Sequence, residues 1–193
     1  MTSTQGLWWQ VRERLAAQAW SCDDTTWLCE QGGRTVGSRL AHWAGLDTSD
    51  RLEVARMLQH RSEEREELAD ENDIVAAWLD LRRIDAALGR AAIDLRSDVA
   101  HRVGTGLLTQ IVNDCTQAGA AIEVHVTGPG FRATAASNAA GNLALVRMSW
   151  PTLVGVAAGT TELAEATMEF SGADAALDSF FECIDALKTS YEY

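Results

Sequence analysis

Lysine and proline are nearly missing from this chain: Lys188 is the single lysine among 16 basic residues, and Pro129 and Pro151 are the only prolines. So little proline leaves helices and strands free to run. Basic residues are outnumbered throughout. Residues 1–119 carry 13 basic and 19 acidic side chains, residues 120–193 carry 3 and 9, and the net charge is −12. No basic stripe exists to track phosphates, which argues against nucleic acid and against an anionic membrane surface as partners. No apolar run approaches the roughly 20 residues of a membrane-spanning helix. The first ten residues also lack a basic cluster followed by an apolar stretch. The expectation is a cytoplasmic protein with no membrane insertion.

Other absences narrow the chemistry. The four cysteines, Cys22, Cys29, Cys115 and Cys183, form no zinc-site spacing, and His42, His60, His101 and His125 are isolated in sequence. Buried free thiols and no metal are expected. There is no glycine-rich phosphate loop, no nucleophile elbow and no cofactor signature. Asp80 with Arg83, and Asp94 with Asp98, have the three- and four-residue spacing of solvent-facing helix neighbours, so no catalytic role is assigned to them.

What the chain does carry is a change of period. Leu7, Trp8, Val11, Leu15 and Ala19 recur at helical spacing, and a second helix bearing Trp27 and Leu28 is broken by Gly32-Gly33. From an Asp73 cap, Ile74, Trp78, Leu81, Leu88, Leu95, Val99 and Val103 predict one long amphipathic helix. Gly104 and Gly106 punctuate it before a short helix over 107–117. From Ile122 the period becomes two: Ile122, Val124 and Val126 alternate with Glu123, His125 and Thr127. The turn Gly128-Pro129-Gly130 predicts an antiparallel return over 131–136. A third strand, with Ala144, Val146 and Met148 on one face, leads to Pro151 in the first turn of a helix. A brief strand over 168–171 and a closing helix with Leu177, Phe180, Phe181, Ile184 and Leu187 complete the pattern. The fold class is α+β: a helical association domain over 1–118, then a small mostly antiparallel sheet covered by helices over 119–193.

The stretch from Ala144 through Trp150, the run Gly159-Thr160-Thr161-Glu162-Leu163-Ala164-Glu165-Ala166, and Met168-Glu169-Phe170-Ser171-Gly172 resemble the sterol-carrier-protein-like fold. The closest flavour is the C-terminal domain of bacterial alkylsulfatases. The resemblance covers about residues 122–187. It implies an apolar binding cavity but no hydrolysis, since the clustered histidines of the alkylsulfatase zinc site are absent. The candidate lining residues are Val126, Phe131, Val146, Met148, Trp150, Phe170 and Phe180. Arg147 shares a face with Leu145, where it can meet an anionic headgroup, Glu123 or Glu169.

Five of the seven tryptophans precede Asp47. Trp8 and Trp9 cannot both face one core, because adjacent helix positions diverge by about 100°. An interface using Trp8 or Trp9 with Trp20 or Trp27 is expected, in a homodimer or against a partner enzyme subunit. The function expected is a binding module for an apolar or amphiphilic small molecule. The alternative is a non-metal subunit of a biosynthetic enzyme, acting on a sulfate-ester or carrier-bound intermediate and completed by a partner chain. A polar cleft with Arg132 or Arg147 beside a carboxylate favours the alternative; a dry apolar cavity counts against it.

Overall fold

The computed structural model of the chain describes residues 4–48, 50–60, 71–90, 97–128 and 130–190. It forms two compact units, Met1–Ile93 and Asp94–Tyr193, and is an α+β protein with its helices first.

In the first unit, α1 (Thr4–Ser21) buries Leu7, Trp8, Val11, Leu15 and Ala19. These residues pack on α4 (Arg51–Gln59) and α5 (Glu71–Ala87). Helix α2 (Asp24–Trp27) is one turn held by a capping box: Thr26 N–H donates to Asp23 Oδ1 at 2.8 Å, and Asp23 N–H donates to Thr26 Oγ1 at 2.8 Å. The sequence continues not as helix but as a hairpin, β1 (Glu30–Gln31) with β2 (Arg34–Thr35). Gly32 and Gly33, at φ 58° and 72°, supply the left-handed turn between them. Helix α3 (Val36–Ala44) starts from a Thr35 cap, and α4 from Asp50, whose Oδ1 accepts from Leu52 and Glu53 N–H.

The long helix expected from Asp73 to Val103 is instead divided. Helix α5 ends at Ala87, and Gly89 takes φ 61° while Arg90 N–H bonds the Asp85 carbonyl at 2.8 Å, closing the helix as a left-handed glycine cap does. Leu95 and Asp94 lie outside the described residues, as do the side chains of Val99 and Asp98. Helix α6 (Ser97–Gln117) then passes through Gly104 and Gly106 without a break, because Val103, Leu107, Leu108, Ile111 and Cys115 give it a continuous buried stripe.

In the second unit, α6 packs on a four-stranded sheet of order β4-β3-β5-β6. Its strands are β3 (Ile122–Gly128), β4 (Phe131–Ala136), β5 (Ala144–Ser149) and β6 (Met168–Ser171). Strands β3–β4 and β5–β6 are antiparallel, whereas β3–β5 is parallel. Helix α7 (Trp150–Ala157) and the closing helix α8 (Asp174–Ser190) complete the helical layer. A change of period marks Gly119 in sequence. The contacts nevertheless put α6 with the sheet, because its apolar stripe covers β3 and β4.

Alternation decides which face is covered. Val124, Val126, Ala133, Ala144, Val146 and Met148 point into the helical layer and are buried. Their neighbours His125, Thr127, Arg132, Arg147, Ser149 and Glu169 are half-buried or exposed on the opposite face.

Candidate functional site

Two groups of polar side chains stand out, one in each unit. In the first, Asp80 is a hub. Its Oδ1 accepts from Arg39 Nη1 at 2.6 Å and Arg83 Nη1 at 3.0 Å, and its Oδ2 accepts from Trp43 Nε1 at 2.8 Å. Asp80 and Arg83 are thus not solvent-facing neighbours: they are 1% and 2% exposed. They tolerate burial because α3 brings Arg39 and Trp43 to the carboxylate. Arg39 also donates to the Gln31 carbonyl at 2.6 Å. Burial pushes the Arg39 guanidinium down from its ordinary value, and Asp80 opposes that shift. Nearby, Arg12 donates to the Leu58 and Met57 carbonyls at 3.3 and 2.7 Å, closing the C-terminal end of α4. The Asp80 carboxylate is thus engaged by three donors from two helices. This group holds the bundle together.

The second group lies on the open sheet face. There a groove of about 610 Å³ is lined by His125, Thr127, Arg132, Arg147, Met148, Ser149, Thr152, Thr167, Met168 and Glu169. Strand register builds it. Thr127 on β3 has Arg132 on one side and Ser149 on the other; one step along, His125 is flanked by Thr134 and Arg147, with Glu169 beyond. Ser149 caps α7, bonding Thr152 N–H at 3.3 Å and Thr152 Oγ1 at 2.8 Å, so the groove also meets a helix N-terminus. His125 Nε2 lies 2.6 Å from Glu123 Oε1. Neither the Arg132 nor the Arg147 side chain makes a hydrogen bond or ion pair among the described residues.

Of the residues expected to line an apolar cavity, Val126, Val146, Met148, Trp150 and Phe180 pack together under the helices, each 6% exposed or less. Phe170 stands on the sheet edge, 56% exposed, edge-on to Phe181 at 6.1 Å between ring centroids. The Phe131 side chain lies outside the described residues. Arg147 and Met148 are the two of this set that reach the groove. The sequence reading passed over His125, Thr127, Ser149 and Thr152 as site residues. Period two already put His125 and Thr127 on one face, but only the parallel β3–β5 register sets Ser149 and Arg147 beside them.

Among the tryptophans, Trp8 and Trp27 are buried, Trp9 is half-buried under the Arg12 guanidinium at 5.5 Å, and Trp20 is 42% exposed. Among the described residues no cluster of His, Cys, Asp and Glu could hold a metal ion, and no helix is long and apolar enough to cross a membrane. No family model, curated protein or solved structure matches the chain.

Proposed function

We propose that the chain is a binding module for an amphiphilic small molecule, which docks on the open face of the second unit's sheet. The observation that carries this reading is the contrast between the two sheet faces. The covered face carries the buried apolar side chains, while the other presents a groove of about 610 Å³ lined by arginine, histidine, hydroxyl and carboxylate side chains. The order of three strands, helix, short helix, strand and helix in this unit is the feature that suggests such a module. The ligand site is the outer groove rather than the interior. Native mass spectrometry of freshly purified protein, followed by titration with decanoate and dodecyl sulfate, tests it. Binding that perturbs the groove residues is expected; no bound amphiphile in either experiment overturns the reading.

A second reading has one observation in its favour. Arg147 lies directly opposite Glu169 in a polar groove, the arrangement an enzyme subunit handling an anionic intermediate would use. Turnover that appears only with a partner chain, and that is lost in Glu169→Gln, supports it over simple binding. Association belongs to the first unit: Trp9 and Trp20, eleven residues apart, lie within about 20° on α1 and are its accessible tryptophans. We propose them as the contact of a homodimer or a partner subunit.

A further inference from the structure

The groove's charge is out of keeping with the rest of the chain. The protein carries −12 overall, and residues 120–193 hold only three basic side chains, two of which, Arg132 and Arg147, line this groove. Arginines on an open sheet face ordinarily pair with acidic neighbours. Glu169 sits opposite Arg147 in register, yet no ion pair joins them.

The register also fixes how the two cations are placed. Arg132 is opposite Thr127, and Arg147 is opposite His125 two residues earlier on the same strand. They therefore flank β3 diagonally. Two strand spacings and a two-residue offset put their Cα atoms about 12 Å apart, within the combined reach of two arginine side chains. Thr127 lies between them, with Ser149 and the first turn of α7 on one side. Two guanidinium groups reaching in from opposite sides would match an anion with acceptor oxygens in more than one plane. A carboxylate is planar and is satisfied by one guanidinium fork. The Thr127 hydroxyl, with whichever of the paired Ser149 and Thr152 hydroxyls does not donate to the other, adds neutral donors, and the α7 N-terminus adds partial positive charge.

We infer that the groove is a binding site for a tetrahedral oxyanion, a phosphate or sulfate monoester, held between Arg132 and Arg147 above Thr127. This rests on the groove being the ligand site and names the group that enters it first. The oxyanion sits over β3, and the remainder of the molecule extends along the groove toward β6. Glu169 borders the site as a like charge and limits its affinity.

The test is a titration of the full chain with inorganic phosphate, methyl phosphate, dodecyl phosphate and decanoate, followed through amide resonances. Phosphate at millimolar concentration should shift Thr127, Arg132, Arg147 and Ser149, and dodecyl phosphate should bind more tightly at the same residues. Arg132→Gln and Arg147→Gln should each weaken phosphate binding about tenfold or more. Glu169→Gln should tighten it. All three side chains are exposed, so the variants should fold, which thermal melts confirm. If decanoate binds in the groove while phosphate neither binds nor competes, the oxyanion inference falls and the amphiphile reading stands. If no compound binds, both fall. If either arginine variant keeps wild-type phosphate affinity, the two-arginine site is wrong.

Discussion

Arg39 Nη1 stands 2.6 Å from Asp80 Oδ1, with both side chains almost completely out of water. That pair, together with Arg83 and Trp43, ties α3 to α5 across the interior of the helical unit. Removing the carboxylate leaves two guanidinium groups and an indole N–H without it. Asp80→Ala should therefore cost about 3–5 kcal/mol, far more than an exposed ion pair. Urea denaturation measures this; a loss below about 1 kcal/mol would show that the hub adds no stability.

Trp8 and Trp20 should respond in opposite ways. Trp8 is buried and edge-on to Trp43 at 5.8 Å, so Trp8→Ala should destabilise the fold by about 3–5 kcal/mol. Trp20→Ala should leave the melting temperature close to wild type. If α1 is an interface, sedimentation of Trp20→Ala at micromolar concentration shifts toward the monomer. A wild-type chain that sediments as a monomer and retains no partner removes that proposal.

Gly37 is a helix position where alanine should harm. In an exposed helix the change would gain about 0.5–1 kcal/mol. Here an added Cβ would run into the Trp27 indole, which packs directly on the glycine. Gly37→Ala should lower stability, and a raised melting temperature would contradict the packing.

The thiols give a pH test. Burial, reinforced by neighbouring Cys183, pushes the Cys115 thiol up from 9.0 to about 12. Unfolding releases it to its ordinary value, so the folded state binds the proton more tightly. The stability this contributes is intact below pH 9 and is lost as pH rises toward 12. Cys115→Ala should flatten that alkaline decline, measured by urea midpoints. Alkylation at neutral pH should spare Cys115 in the folded protein and modify the less buried Cys29.

Much of the fold was legible in periodicity. The switch from Leu7, Val11 and Leu15 to Ile122, Val124 and Val126 locates helices first and a sheet after. Asp23 announces a helix start through its short polar side chain, whereas the caps at Thr35 and Asp50 were not singled out from the other short polar residues around them. Long-range pairing was not legible. Asp80 looked solvent-facing because its spacing to Arg83 matches any surface helix pair, and Arg39 lies 41 residues away. The groove was hidden for the same reason: its polar residues come from four strands and a helix start, joined by a parallel β3–β5 register that no local pattern encodes.

The most direct measurement is an amide-resonance map of the chain with and without dodecyl phosphate. Shifts should centre on His125, Thr127, Arg132, Arg147, Ser149 and Glu169 and leave Val126, Val146 and Phe180 at their unliganded positions. Shifts centred on those interior residues would place the ligand inside the fold and contradict a site on the open sheet face.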